Sequence, residues 1–287
     1  MRRLLINADD FGLTHGVNRA IAEAHSHGSL TSATLMAAAA ATSPAIEQAL
    51  RTPTLGVGCH VVLVDGAPML PARKIPGLAP PSAGTFHPTL GKFLAQLLTS
   101  RIPADQIEAE AAAQIASLQD RGLRLTHIDT HKHTHIFPAV LRPVLRAARA
   151  AGIHAIRNPF EPAWAGRATP RAPLTRRLQV SLLRRLEPAF RRIVAEEGFH
   201  TTDGAIGVLA TGTLDSQTLT SLLDRMPDGT WELVTHPGYN DPDLARAGTR
   251  LTSARQIELE ALMNLAASNE IELTSFAAVA ASGTLRR

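Results

Sequence analysis

The chain has 287 residues, of which 45% are hydrophobic, and this suits one α/β barrel with a sizeable core. Its single cysteine, Cys59, excludes a disulfide framework and favours a reducing compartment. The net charge is only +4 and aromatic residues make up 4%, without interleaving of basic and aromatic residues, so we expect no nucleic-acid partner. The N-terminal apolar run is too short for a signal peptide and no run is long enough for a membrane span, so we expect a cytoplasmic protein.

Short apolar strands alternate with amphipathic helices along the chain. The alternation recurs about seven times between 2–8 and 272–276, which predicts parallel strands joined by right-handed crossovers. We therefore expect an α/β fold with one domain over 1–287, an incomplete or distorted (β/α) barrel of about seven parallel strands. Two segments rich in Gly and Pro, 65–88 and 158–173, are predicted to be loops over the active-site face.

Two adjacent carboxylates, Asp9 and Asp10, follow the first predicted strand. Neighbouring side chains on a strand face opposite ways, so a bend at Gly12 is needed to bring both into one pocket. The alternative is an Asx-type turn that caps the next helix.

Histidines stand at two further strand ends. His60 belongs to the predicted strand 55–63, and His236 follows the strand 231–235 directly. A lone histidine in an apolar strand is more often a hydrogen-bonded core residue, and His236 could be a turn residue with no role. Because α/β barrels gather catalytic groups at the carboxyl ends of their strands, we favour the functional interpretation for both.

The stretch 125–138 places titratable side chains at every second position: His127, Asp129, His131, His133 and His135. If the stretch is extended, all of them share one face. With a rise of roughly 3.3 Å per residue, His127 and His131 lie about 13 Å apart and cannot ligate one ion, whereas His131 and His133 could. The alternative is a polar strand end with solvated histidines, but titratable groups near a buried strand need partners or a metal ion.

One aspartate and two histidines form a three-ligand site that leaves positions on a divalent cation open. Such a cation lowers the pKa of its water to around 7 and polarises a carbonyl group. A second carboxylate could remove the water's proton, and a histidine could donate one to a leaving amine. Nitrogen ligands favour Zn²⁺, while a carboxylate with water also suits Mg²⁺, Mn²⁺ or Co²⁺. These groups would suffice for amide hydrolysis.

Four motifs in chain order are Asn7-Ala8-Asp9-Asp10-Phe11-Gly12, Gly58-Cys59-His60, His127-Ile128-Asp129-Thr130-His131-Lys132-His133-Thr134-His135 and His236-Pro237-Gly238-Tyr239. Together they resemble the YdjC/ChbG family of carbohydrate deacetylases over most of the chain. The resemblance implies a polysaccharide-deacetylase-like barrel that uses one divalent metal ion, Zn²⁺ or Mg²⁺, to remove the N-acetyl group of an amino sugar.

The resemblance also implies roles for individual residues. Asp10, His60 and His131 would ligate the metal, with Asp9 as general base and His236 as acid. The remaining candidates would bind the substrate or support their neighbours: His127, Asp129, His133, His135, Arg157 and Tyr239.

Two departures from the family pattern bear on the substrate. The run 61–66 lacks the Leu and Leu-Thr usual after the motif histidine, which weakens the match to chito-oligosaccharide enzymes. Thr130 stands where Ser is common, and neither departure removes a metal ligand. The segments 64–66 and 157–162, with the arginine-rich region after them, resemble the hopanoid-biosynthesis-associated deacetylase branch, which implies an N-acetylglucosaminyl glycolipid substrate.

The segment 174–195 is predicted to be a basic amphipathic helix that Pro188 could break. We expect its leucines to pack on the core and its arginines to face solvent. The alternative is peripheral contact with an anionic membrane at the inner membrane face.

Two other functional classes stay open at this stage. A phosphoesterase would use the His131 and His133 pair as ligands and depend on His133 as much as on His60. A non-catalytic metal- or sugar-binding protein would need no base at Asp9. The oligomeric state is left open, and Cys59 is predicted to face away from His60 into the core.

Overall fold

The computed structural model describes residues 1–169, 171–265 and 270–283, with side chains up to 281. Its strands are β1 Arg2–Phe11, β2 Ser32–Leu35, β3 Gly56–Val61, β4 Ile128–Thr130, β5 Gly204–Ile206, β6 Gly229–Thr235 and β7 Ile271–Leu273. Its α-helices are α1 His15–Ser26, α2 Thr42–Arg51, α3 Leu90–Leu98, α4 Ala104–Gln119, α5 Pro138–Ala150, α6 Ala163–Ala168, α7 Leu174–Leu183, α8 Glu187–Glu196, α9 Ser216–Asp224, α10 Pro242–Arg246, α11 Ser253–Met263 and α12 Phe276–Gly283.

The strands form one parallel sheet in the order β4-β3-β2-β1-β6-β5, and β7 pairs with the first residues of β1. β1 is buried continuously from Leu4 to Phe11 without a polar alternation, as expected of a strand covered on both faces. Its central position puts Asp9 and Asp10 beside the carboxyl ends of both β2 and β6.

The two edges of the sheet approach each other through irregular chain. The predicted strand 153–157 contributes only bridges, Ile128↔Ile156 on the β4 side and Ala155↔His200 toward β5. The sheet therefore curls into an incomplete barrel, and the prediction of about seven parallel strands is confirmed. Leu5, Ala155 and Phe276 pack together as a small apolar cluster, to which α12 contributes its first residue.

The loop 65–88 is fastened to α4. Glu110 is buried and accepts hydrogen bonds from the backbone N–H groups of Met69 (2.8 Å) and Leu70 (3.0 Å). Gln114, one turn on, bonds both backbone polar groups of Val62. These bonds supply partners for the loop's main chain and fix its start beside the carboxyl end of β3.

The basic segment differs from the prediction. It divides into α7, a short 3₁₀ turn at Arg184–Leu186 and α8, with Pro188 in the first turn of α8 where proline is tolerated. No α7 residue is buried, and Leu174, Leu178 and Leu182 are 71%, 63% and 60% exposed. The expectation of a core-packed face is wrong for Leu178 and Leu182, whereas Leu186 packs against the core and Ile193 is buried. In the described part of the chain, no helix has the length and hydrophobicity to span a membrane.

Candidate active site

A β-bulge at the end of β1 brings the two adjacent aspartates together. The pairing with β2 shifts register between Ala8 and Phe11, and Asp10 adopts a left-handed backbone (φ 63°). The bend therefore begins at Asp10 itself, although Gly12 (φ 95°) is also left-handed. Aspartate tolerates this conformation better than most residues. As a result, both carboxylates are buried and contribute to the same polar cluster.

His60 is oriented by Asp129. The register of β3 and β4 pairs the two residues, and His60 Nδ1 donates to Asp129 Oδ1 at 2.8 Å. This leaves His60 Nε2 facing His131 Nδ1 at 3.2 Å and Asp10 Oδ1 at 3.4 Å. Burial opposes charge on His60, but Asp129 and the two neighbouring aspartates raise its pKa to about 9. A cation bound at Nε2 would therefore displace a proton near neutral pH.

Asp10, His60 and His131 can share one ion, because each offers a ligand atom within 4.8 Å of the others. One carboxylate oxygen and two imidazole nitrogens are a donor set that fits a divalent cation such as Zn²⁺. A carboxylate behind a metal-binding histidine, as Asp129 stands behind His60, is the usual outer support of such a site. Asp9, His60 and Asp129 also lie close enough together, but hydrogen bonds occupy their facing atoms.

Arg157 binds the carboxylates of both Asp9 and Asp129. Its Nη2 and Nη1 bind Asp9 Oδ1 (2.6 Å) and Oδ2 (2.8 Å), Nη1 also reaches Asp129 Oδ2 (2.5 Å), and Nε binds Glu232 (2.7 Å). Although burial alone would raise it, the pKa of Asp9 lies far below its usual range because Arg157 stabilises the charged form. Arg157 is fully buried, so the expectation that it binds the substrate does not fit its position.

His236 lies opposite, at the carboxyl end of β6. Its backbone N–H donates to Glu258 Oε2 at 2.6 Å, and its Nε2 lies 3.8 Å from Asp9 Oδ2. Burial opposes protonation of the ring, but Glu258 and the two aspartates raise the pKa of His236. Asp9 and His236 therefore adjoin the three-ligand group from the β1–β6 side.

The alternation in 125–138 ends at Thr130. Lys132 and His133 adopt left-handed conformations (φ 55° and 52°) inside the short 3₁₀ segment His131–Ile136, which disrupts the predicted common face. His135 is buried, with Nδ1 bonded to the Thr130 hydroxyl at 2.7 Å. His133 belongs to neither of the two residue clusters in the described part of the chain that could hold a metal ion. The predicted ligand pair of His131 and His133 therefore does not form.

The contacts of His127 and Tyr239 are made with residues outside the three-ligand group. His127 is buried and stacked on Phe276 with ring centroids 3.8 Å apart, and burial holds its pKa well below the usual range. Tyr239 donates to Glu23 on α1, and its ring lies 4.0 Å from the Arg19 guanidinium. The expectation that they bind the substrate or support their neighbours stays a prediction.

The sequence analysis missed two buried residues on α11. Arg255 binds Asp10 Oδ2 at 2.5 Å, and Glu258 accepts from His236 and from Gly212 N–H (3.2 Å). They lie three residues apart on the same buried helix face as Leu259 and Leu262. Charged residues on an otherwise apolar face are the signal that could have identified them.

Fold and site together define an α/β-barrel protein with a candidate metal centre at the carboxyl ends of its parallel strands. Residues 3–272 match the profile described as YdjC-like protein. The chain belongs to this family.

Named relatives agree with this assignment. A carbohydrate deacetylase of Brevibacillus brevis is 33% identical, and the match covers 91% of this chain and 90% of the length of that relative. A chitooligosaccharide deacetylase of Salmonella paratyphi B is 38% identical, over 53% of this chain and 58% of its own. A crystal structure from Enterococcus faecalis V583, of a protein assigned to cellobiose-phosphate cleavage, superposes with a TM-score of 0.74 at 25% identity, covering 97% of this chain and 99% of that one.

Proposed function

We propose that this protein is a metal-dependent hydrolase that removes the N-acetyl group from an N-acetylated amino sugar. The observation that carries the proposal is the convergence of the donor set Asp10, His60 and His131 with a buried carboxylate, Asp9, and a histidine, His236. A divalent cation held by the three donors would polarise the acyl carbonyl group and make a bound water more acidic.

Asp9 and His236 would move the protons of the reaction. Asp9 accepts a proton from the water that attacks the acyl carbon, and Arg157 holds this carboxylate ionised and oriented. His236 donates a proton to the sugar nitrogen as the carbon–nitrogen bond breaks, which releases acetate and a free amine. Glu258, bonded to the His236 backbone, keeps the imidazole beside the site.

The proposed substrate is an N-acetylglucosaminyl glycolipid of the hopanoid type, and the support is the leucine ridge of α7, which we define as Leu174, Leu178 and Leu182. Arg176 of the same helix donates to Val208 O, just beyond the carboxyl end of β5, so the ridge lies on the side of the barrel that carries the site. Exposed leucines at one-turn spacing suit insertion among lipid chains. The protein would then act at the inner face of a membrane.

A chito-oligosaccharide is the second candidate substrate. Its support is the 38% identity to the Salmonella chitooligosaccharide deacetylase over 154 residues. A soluble sugar would need no contact with the leucine ridge.

The decisive experiment measures acetate release from both substrates by the wild type and Asp9→Asn, with bound metal quantified. We expect Asp9→Asn to retain its metal and to lose at least about 100-fold in kcat, the usual contribution of a general base. Asp105→Asn, at an exposed aspartate in the first turn of α4, is the matched control. If fully metallated wild type releases no acetate, the deacetylase proposal fails and phosphate esters become the next substrates to test.

A further inference from the structure

Arg255 on α11 is a buried cation that touches the candidate metal centre. It is 1% exposed, its Nη2 binds Asp10 Oδ2 at 2.5 Å, and its Nε donates to Leu251 O at 3.0 Å. A Cβ atom at Gly238 would come within 3.0 Å of Arg255 Cδ, so the glycine of the segment 236–239 makes room for this side chain. The guanidinium is therefore held on one side by its helix and on the other by the loop that follows His236.

Among the pocket aspartates in the described part of the chain, Asp10 keeps one oxygen, Oδ1, that no arginine binds and that faces both histidines of the candidate metal site. Arg157 takes both oxygens of Asp9, while Asp129 gives Oδ1 to His60 and Oδ2 to Arg157. Asp10 gives Oδ2 to Arg255, and its Oδ1 remains, 3.4 Å from both His60 Nε2 and His131 Nδ1.

The burial of Arg255 is also unfavourable for the stability of the protein. Its Nη1 is buried and has no hydrogen-bond acceptor among the described residues, and a buried charge with an unsatisfied donor costs stability. An apolar side chain would avoid the cost of the unsatisfied Nη1 but would leave the buried Asp10 Oδ2 without its partner. The contact with Asp10 is therefore the feature that distinguishes arginine here.

We infer that Arg255 is a positioning residue that restricts Asp10 to one-oxygen ligation and lowers the affinity of the site for its cation. This inference rests on the proposed function, because it takes Asp10 as a metal ligand. With one oxygen bound to arginine, Asp10 offers the cation only Oδ1. The guanidinium also repels the cation across a buried, weakly screened space. The site would then hold its metal less tightly and keep more of the metal's coordination sphere open for water and substrate.

The test is a Zn²⁺ competition titration against a chromophoric chelator, performed on wild type, Arg255→Met and Arg255→Lys. We expect Arg255→Met to bind Zn²⁺ at least about tenfold more tightly, because the repulsion is removed and the second oxygen is released. Arg255→Lys retains the charge and should remain within about threefold of wild type. Arg192→Met, which removes an exposed arginine on α8, controls for net charge and should change nothing.

A purely structural role predicts the opposite result. If Arg255 only kept Asp10 in place, Arg255→Met would bind Zn²⁺ equally or more weakly, and the inference would be overturned. Should Arg255→Met fail to fold, Arg255→Gln, which is neutral but keeps a donor for Asp10, is expected to bind more tightly than wild type. If wild type itself binds no stoichiometric Zn²⁺, the metal site of the proposed function fails, which is distinguishable from failure of the Arg255 inference.

Discussion

At the scale of single residues, each of the main side chains of the pocket has at least one polar atom that is already bonded to a neighbouring side chain. His60 has one nitrogen on Asp129, Asp9 has both oxygens on Arg157, and Asp10 has one oxygen on Arg255. Such bonds fix both the orientation of a ligand and the atom it presents. The sequence identifies which residues converge, but Arg255 stands 245 residues from Asp10, and no spacing rule connects them.

Asp129→Asn tests the support behind His60. The substitution removes the negative charge that orients His60 through Nδ1, so we expect metal affinity to fall about 10- to 100-fold, the usual effect of losing an outer-shell partner. Isothermal titration with Zn²⁺ measures the change, and Asp105→Asn, at an exposed aspartate of α4, should leave affinity unaltered. Equal affinity in Asp129→Asn and wild type would show that His60 needs no carboxylate behind it.

Gly58→Ala tests the packing beneath the pocket. A Cβ at this position would lie 2.6 Å from the His127 ring, which is itself stacked on Phe276. Because overpacking a tight core forces neighbours to shift, we expect a loss of about 1–3 kcal/mol in the free energy of unfolding by urea. Gly91→Ala, on α3 with open space around it, should be neutral or stabilising. A stable Gly58→Ala protein would mean that His127 can move aside.

At the scale of elements, strand ends were predicted better than helix faces. The convergence of Asp9, His60 and His236 at carboxyl ends follows from the parallel alternation alone. In contrast, the periodicity of α7 defines an apolar helix face but does not show whether another element covers it. In the structure, Arg176 and Arg177 of this helix donate hydrogen bonds to backbone carbonyl groups of the protein. The predicted strand beyond Thr130 was wrong because polar alternation resembles a strand even where Lys132 and His133 are left-handed.

The leucine ridge is tested by replacing Leu174, Leu178 and Leu182 with serine together. The three side chains are exposed, so the protein should fold normally while its binding to anionic liposomes weakens at least about tenfold. Vesicle sedimentation measures binding, and hydrolysis of soluble chito-oligosaccharide should be unchanged. Equal sedimentation of the triple variant and the wild type would remove the membrane part of the proposal.

At the scale of the whole molecule, buried carboxyl groups make stability depend on pH, and Glu161 is one of them. Glu161 accepts a hydrogen bond from Leu209 N–H while its other oxygen has no partner among the described residues, and burial raises its pKa to about 7. Between its ordinary pKa of 4.5 and about 7, the unfolded chain releases this proton and the folded chain retains it. Stability therefore falls as pH rises through this range and stays reduced above it.

Glu161→Gln should remove the contribution of Glu161 and leave that of Glu232, whose pKa burial also raises to about 7. The wild type is expected to lose up to about 3 kcal/mol relative to the variant between pH 4.5 and 7, with a constant difference above pH 7. Urea unfolding across pH 5–8 measures the difference, and Glu47→Gln, at an exposed glutamate, should follow the wild-type profile. If the stability of Glu161→Gln and wild type changed with pH in parallel, the pKa of Glu161 would not be raised in the folded protein.

The position of β1 between β6 and β7 has a consequence for how the protein is made. Arg2 pairs with both Gly229 and Ile271, so the amino-terminal half of β1 is complete only after β6 and β7, which follow it far along the sequence, have joined it. Pairing across such long stretches of sequence slows folding and leaves apolar strand edges unprotected in the meantime. β1 also carries both pocket aspartates, so the nascent chain can assemble a working site only late, and helper chaperones would matter most during that interval.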